Sequence, residues 1–248
     1  KAGIWMSGIT KIYDLVRQSL VMHMPMLQVL NSSDESMLKG KYKGKVYYIP
    51  PFIYDKPKVS EIKVNNKFNA LFVGRLEVRH KGLDFLCKIM EKTLEKNNEI
   101  TFHIVGSGEG EAMLKQVENK HKGKVFVHGF LSAKELTEMY RNSDLLLITS
   151  RYEGFPATIL EAQNWGLPFI AFNVKGPPEA LSNSIQGKLI EPFDIDAYVN
   201  AVLEYFQKWK DKKNYIKIKR EIVKIINSEY SADIIIPKMA RILKGDGV

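Results

Sequence analysis

From residue 70 onward the apolar positions gather into short, nearly unbroken runs. They are Ala70–Gly74 (ALFVG), Ile100–Val105 (ITFHIV), Lys124–His128 (KVFVH), Leu145–Thr149 (LLLIT), Pro168–Phe172 (PFIAF) and Gly187–Ile190 (GKLI). A strand with one wet face alternates apolar and polar residues. These runs mostly do not alternate, which is how strands buried on both faces of a parallel sheet read. Between the runs, Leu83–Leu94, Gly110–Asn119 and Ala133–Tyr140 carry apolar residues at helical spacing. Ser132 followed three residues on by Glu135 is a capping-box signature for the third of these helices. Strand–helix alternation of this kind implies right-handed crossovers, and so predicts an α/β fold with a doubly wound, Rossmann-like parallel sheet. Ligands bind such sheets beyond the carboxyl ends of the strands, so chemistry is expected in the residues that follow each strand.

The two ends of the chain read differently. Gly8–Met22 predicts a helix, Met26–Leu30 a strand, Ser33–Lys39 a short helix capped by Ser32 or Ser33, and Val46–Ile49 a second strand. The pair Pro50-Pro51 then forms a stiff boundary, with too little sheet before it to make a domain. After residue 194 the pattern turns helical, with Ile195–Trp209, Tyr215–Ile226 and Ala232–Leu243 as the expected helices.

Composition narrows the class. The 248 residues are 45% apolar and 26% charged, enough for one large α/β domain or one domain with part of a second. Disorder, collagen and coiled coil are excluded on composition. No apolar run reaches the roughly 18–20 residues that a membrane-spanning helix needs. The single cysteine, Cys87, excludes an intramolecular disulfide framework and a Cys-based zinc site, and fits a reducing compartment. The chain begins with Lys1, and Asp14 and Arg17 interrupt any signal-peptide core, so it is read as cut from something longer. The formal net charge is +9, carried mainly by lysine. Such a surface suits an anionic lipid headgroup layer or phosphorylated small molecules, or is simply solvated. No nucleic-acid motif accompanies the charge, so nucleic acid is not expected as a partner.

Four segments behind strands carry candidate chemistry. After ALFV, Gly74-Arg75 and then Lys81-Gly82 put a planar guanidinium, an ammonium and a helix start at one strand end, a set suited to phosphate. After ITFHIV comes the glycine-rich turn Gly106-Ser107-Gly108-Glu109-Gly110, part of a dinucleotide fingerprint but without its full spacing. After KVFVH, the backbone of Gly129-Phe130-Leu131 could face a base. The fourth is the most specific: after LLLIT, Ser150-Arg151-Tyr152-Glu153-Gly154-Phe155-Pro156-Ala157 leads into a helix bearing Glu161. Pro156 suits a first helical position, which would leave Gly154–Ala157 as free N–H groups at a helix N-terminus. Glu153 precedes the helix and Glu161 lies about a turn and a half into it. Their depth and direction differ, so they are unlike an acid/base pair and fit two separate hydroxyl-binding roles. Among the five histidines, none stands at metal-ligand spacing to another, and no metal is expected; His103 and His128 lie in strand runs, where a core role is expected. Met22, Met24 and Met26 are likewise expected in a core.

Taken together these residues resemble the group 1 (family 4) retaining glycosyltransferases of GT-B fold. Gly74-Arg75 followed by Lys81-Gly82-Leu83-Asp84 is similar to that family's GRL…KGLD segment, and HIVGSG at His103–Gly108 to its strand and turn. Glu153 and Glu161 match its Glu-x7-Glu signature, Gly176-Pro177-Pro178-Glu179 its loop after the next strand, and GKLIEPFD its GxLVxPxD. The match runs in order over about residues 45–205 and is to the C-terminal, donor-binding half. The resemblance implies a hexosyltransferase-type activity on a nucleotide-diphosphate sugar, UDP type above others, with no further cofactor. It implies that Arg75 and Lys81 hold the diphosphate and act in catalysis with Glu153, which lies against the transferred sugar. Gly154, Phe155 and Pro156 would supply backbone contacts, Glu161 would bind the ribose, and the loops at Gly106–Gly108 and Phe130–Leu131 would approach the base. Pro156 departs from the commoner glycine and removes one donor.

It implies further that residues 1–49 are the remnant of an acceptor-side domain, that 50–230 is the donor-binding domain, and that 231–248 packs back toward the missing N-terminal domain. The acceptor would be a polysaccharide or glycolipid, and the place of work the cytoplasm, peripheral to the inner face of the membrane. The chain alone would not transfer sugar. The alternatives are a catalytically silent GT-B module that docks on a partner chain, and another GT-B activity such as an epimerase or phosphorylase.

Overall fold

The computed structural model describes residues 24–244, so the helix expected at Gly8–Met22 lies outside the described residues. The chain divides into two units between Pro51 and Phe52. In the first, β1 (Met26–Val29), α1 (Ser32–Leu38) and β2 (Lys45–Tyr48) form a parallel β-α-β unit around Val29, Tyr42 and Val46. Its helix is capped by Asn31 and not by either serine: the Asn31 carboxamide oxygen accepts the Asp34 N–H at 2.8 Å. An Asn carbonyl reaches a first-turn N–H as well as a hydroxyl does, and it stands one residue further back. Met24 and Met26 are 48% and 37% exposed, against the expectation of a core place, because the two strands and one short helix among the described residues enclose only a few side chains; Met22 lies outside the described residues.

The second unit holds six strands, β3 (Phe68–Val73), β4 (Ile100–Val105), β5 (Val125–Val127), β6 (Leu145–Ile148), β7 (Phe169–Phe172) and β8 (Gly187–Ile190). Every pairing is parallel and the spatial order is β5-β4-β3-β6-β7-β8. The helices are α2 (Val78–Lys81), α3 (Leu83–Lys96), α4 (Glu111–Lys120), α5 (Ala133–Arg141), α6 (Ala157–Asn164), α7 (Ile195–Lys210), α8 (Lys212–Glu229) and α9 (Ala232–Lys244). The sheet is doubly wound, as the unbroken apolar runs require. Phe68, Ala70 and Phe72 of β3 and Leu145 and Leu147 of β6 face one core with α3, α4 and α7. Leu71, Leu146 and Ile148 face the other with α5, α6 and α8. Ser132 and Glu135 form the expected capping box on α5.

The amino ends of the strands are tied down by a buried ion pair. Lys219 of α8 is fully buried; its ammonium donates to the Ser143 carbonyl at 2.9 Å and lies 3.9 Å from the Asp144 carboxylate. Asp144 also accepts the Asn69 N–H, and the Tyr215 hydroxyl donates to the Asp144 carbonyl at 2.7 Å. Desolvation pulls Lys219 down to about 8 and pushes Asp144 up from the usual carboxylate range.

The strand order reverses between β3 and β6. Winding out from that line leaves a crevice beyond their carboxyl ends, and the two candidate segments after ALFV and LLLIT are the loops that border it.

Candidate functional site

Three loops meet at the crevice, and their fit depends on two glycines. Gly82 separates α2 from α3 at φ +64°, where a Cβ would stand 2.1 Å from the Thr149 carbonyl oxygen. Gly106 follows β4 at φ +143°, with the Gly74 carbonyl oxygen 1.8 Å from the place of a Cβ. Both conformations are costly for other residues, and here the backbone of the neighbouring loop also occupies the space. The glycines of the turn after β4 therefore serve loop packing first: Leu76, fully buried, donates its N–H to Ser107 and accepts from Gly110.

The β3 and β6 loops then interlock. Thr149 donates its hydroxyl to the Lys81 carbonyl at 2.8 Å, and the Arg151 N–H donates to the His80 carbonyl at 2.9 Å. The Arg151 guanidinium forms a bidentate pair with Asp84 at 2.9 and 2.7 Å. It also donates to the carbonyls of Val78 and Arg79 and lies 4.1 Å from the centroid of the Phe85 ring. The hydrogen bonds from Arg151 hold the Asp84 carboxyl below its usual range. His80 stacks on Tyr152 at 4.3 Å, completing the clasp. None of Thr149, His80, Arg151 or Asp84 stood among the expected site residues, although the last two lie inside the motif strings that carried the resemblance.

That clasp places Lys81 against Glu153. The ammonium donates to one carboxylate oxygen at 2.6 Å, and the Ser150 hydroxyl donates to the same oxygen at 2.7 Å. Both side chains of the pair are largely buried. The Lys81 stem passes over Gly74, within 3.6 Å of where a Cβ would be. From the third loop, Gly176 presses on Glu153 at φ +105°, and the Glu153 N–H donates to the Lys175 carbonyl.

The expected residues therefore fall into three groups. Arg75, Gly106 and Phe130 line one cavity of about 290 Å³ together with Gly74, Ser107 and Leu131. Arg75 stands 69% exposed at its rim and is paired with Glu77, so it is not free at the sheet edge. Phe130 is 83% exposed. Lys81 and Glu153 form the second group at the strand ends. Glu161 belongs to neither: it accepts a hydrogen bond from Tyr140 at 2.7 Å and lines an adjacent cavity of about 370 Å³ between α5 and α6, with Leu136 on the wall of both cavities. Gly108 sits on the backbone of Leu76 and does not line the Arg75 cavity. Gly154 has open space where a Cβ would go. Phe155 packs its ring in the core near Tyr230, so that any contact with a ligand comes from its backbone. Pro156 is the N-cap of α6 and not its first helical residue, one position earlier than the sequence suggests.

His103 and His128 correct another expectation. His128 lies just past β5 and is exposed, and its Nε2 is 3.0 Å from His103 Nδ1, with the two rings stacked. Adjacent parallel strands bring together residues 25 positions apart. Burial first, and then His128, pulls His103 down to about 4. Among the described residues, no group of three or more His, Cys, Asp or Glu side chains could hold a metal ion. Among the same residues, no helix is long and apolar enough to cross a membrane.

Residues 55–222, which hold every loop of this crevice, match the family model for glycosyl transferases group 1. The chain belongs to that family. Among its relatives is an uncharacterised 41.2 kDa protein in the cps region of Klebsiella pneumoniae, 32% identical over 182 residues, which cover 70% of this chain and 49% of that protein. Another is the Escherichia coli UDP-Gal:alpha-D-GlcNAc-diphosphoundecaprenol alpha-1,3-galactosyltransferase, 34% identical over 60% of this chain and 38% of the enzyme. The chain thus spans about half the length, or less, of these curated relatives. In fold it matches the pneumococcal O-GlcNAc transferase GtfA, solved in complex with UDP and GlcNAc, with a TM-score of 0.74 at 21% identity, over 90% of this chain and 45% of GtfA. In this group 1 glycosyltransferase chain of α/β fold, Glu153 stands at the strand ends and Glu161 in the adjacent cavity between α5 and α6.

Proposed function

We propose that this chain is the donor-binding half of a retaining glycosyltransferase. It would hold a nucleotide-diphosphate sugar, of UDP type, for transfer to a polysaccharide or glycolipid acceptor. The observation that supports this most is the convergence at the switch point: a cavity with Arg75 on its rim, and Lys81 lying over Gly74 of the same wall. A flat base suits the cavity lined by Gly106, Ser107, Phe130 and Leu131. A diphosphate leaving it meets the Arg75 fork and the Lys81 ammonium.

The chemistry follows from charge. As the bond from the sugar to the diphosphate breaks, negative charge grows on the leaving oxygen, and fixed cations in a site shielded from water stabilise it. Lys81 is already aimed by Glu153, whose carboxylate Ser150 also holds, so little reorganisation is needed. Glu153, fixed by two donors, is the carboxylate nearest that ammonium and the candidate to face the sugar. Glu161 is assigned to the ribose from the neighbouring wall. The acceptor, the linkage, the second domain and any docking of the enzyme at the inner face of a membrane belong to the longer protein.

The test is a panel of nucleotide sugars against the melting temperature of the chain, followed by transfer assays. One UDP-sugar should raise the melting temperature in a concentration-dependent way. The chain alone should transfer nothing, because half a cleft cannot position an acceptor. Indifference to every nucleotide sugar, or transfer by the isolated 248-residue chain, would overturn the reading.

A further inference from the structure

On the wall that carries Glu161, one polar group reaches the carboxylate from the core. Tyr140, in the last turn of α5, is 3% exposed, and its hydroxyl donates to Glu161 Oε2 at 2.7 Å. Its ring belongs to the core on the α5–α6 face of the sheet. Glu161 itself is exposed, four residues after the start of α6. A surface glutamate ordinarily moves among many rotamers, and fixing it on binding costs affinity. Here one carboxylate oxygen is held by a phenol that the core has already immobilised, while Oε1 has no such bond to any described residue.

We propose that Tyr140 is the positioning residue for Glu161: it holds one carboxylate oxygen so that the other is presented, already oriented, to the hydroxyls of the nucleotide's ribose. The inference rests on the ribose assignment made above. It accounts for a feature which that assignment leaves unexplained, namely a buried phenol spent on an exposed carboxylate. Burial, and then the neighbouring Glu161 charge, raise the phenol well above its ordinary range, so it stays a donor at any working pH. The packing is suited to the role, since the hydroxyl sits at the tip of a ring that cannot shift without opening the core.

Tyr140→Phe keeps the ring and removes only the hydroxyl. Calorimetric titration with UDP, 2′,3′-dideoxy-UDP and pyrophosphate reads the effect. Tyr140→Phe should weaken UDP binding about three- to tenfold, the cost of one unfixed side chain. It should leave the dideoxy nucleotide and pyrophosphate unchanged. In a Glu161→Ala background it should change nothing, because the group it positions is gone. An equal loss for all three ligands, or the same loss in the Glu161→Ala background, would show a merely structural role and overturn the proposal. If Tyr140→Phe does not fold, Glu161→Asp draws the carboxylate back from the hydroxyl with the core untouched. It should lose the same discrimination between UDP and its dideoxy form, and parent-like UDP binding by this variant would overturn the proposal. A parent chain that binds UDP and dideoxy-UDP equally would instead remove the ribose assignment itself, and Tyr140's role with it.

Discussion

Arg151→Ala should loosen the crevice more than any change of a single exposed charge. The substitution removes a bidentate pair with Asp84, two bonds to the carbonyls of Val78 and Arg79, and a guanidinium stacked over the Phe85 ring. The side chains of the pair are 29% and 32% exposed, so solvent screens them and the pair contributes about 1 kcal/mol. The two carbonyl bonds, at 3.2 and 3.1 Å, add about 0.5 kcal/mol each, and the ring stacking about 0.5–1 kcal/mol. The total is about 2.5–3 kcal/mol, or a melting point lower by about 5–12 °C for a domain of this size. Denaturant unfolding of the parent, Arg151→Ala and Arg151→Lys measures it. The lysine variant should recover less than half, since an ammonium cannot serve both Asp84 oxygens and two carbonyls from one position. A loss within about 0.5 kcal/mol of the parent, the range of ordinary surface changes, would refute the claim that Arg151 fastens the β3 and β6 loops.

The remaining predictions concern the base of the sheet and the charged surface. Removing one partner of the buried pair, by Lys219→Met, should cost about 3–5 kcal/mol because Asp144 is left buried without its counter-ion. Because folded Lys219 titrates at about 8 and unfolded lysine at 10.5, the folded chain binds fewer protons between those values. This group therefore makes the fold more stable as pH rises from about 8 to 10.5, and Lys219→Met should flatten that rise; denaturation curves that rise equally in both proteins would count against it. Lys213, Lys217, Arg220 and Lys224 recur at helical spacing on the exposed side of α8, which predicts adsorption to vesicles containing anionic lipid. Binding that survives roughly 1 M salt, where charge is screened within a few ångströms, or that persists after Lys217→Glu with Arg220→Glu, would show that this stripe is not the cause.

The central strands were legible because β4, β6 and β7 are buried on both faces: an unbroken apolar run leaves little freedom, and the observed ends of β4 and β8 fall on the expected residues. The helices were legible from their period, and Ser132 with Glu135 from local hydrogen bonding alone. What escaped the sequence is non-local or depends on a cap. Arg151 and Asp84 are 67 positions apart, Tyr140 and Glu161 are 21 apart, and nothing in either local pattern ties one to the other. Lys219 reads as one more lysine on a lysine-rich helix until α8 is laid against the sheet, when its side of the helix turns out to be the inner one. At Pro156 and Asn31 the error is one or two residues, the usual margin at a helix end. The glycines after β4 look like ligand-facing residues in the sequence, but the structure first uses them to admit the backbones of Gly74 and Leu76.

The central claim is that the crevice between β3 and β6 grips a nucleoside diphosphate through Arg75 and Lys81. Calorimetric titration of the chain with UDP, alongside Arg75→Ala and Lys81→Ala, tests it directly. Removing either cation should weaken binding by about 10–150-fold, the worth of one charge-assisted hydrogen bond, with exposed Arg75 at the low end and largely buried Lys81 at the high end. A parent chain that does not bind UDP, or variants that bind it as tightly as the parent, would contradict the account.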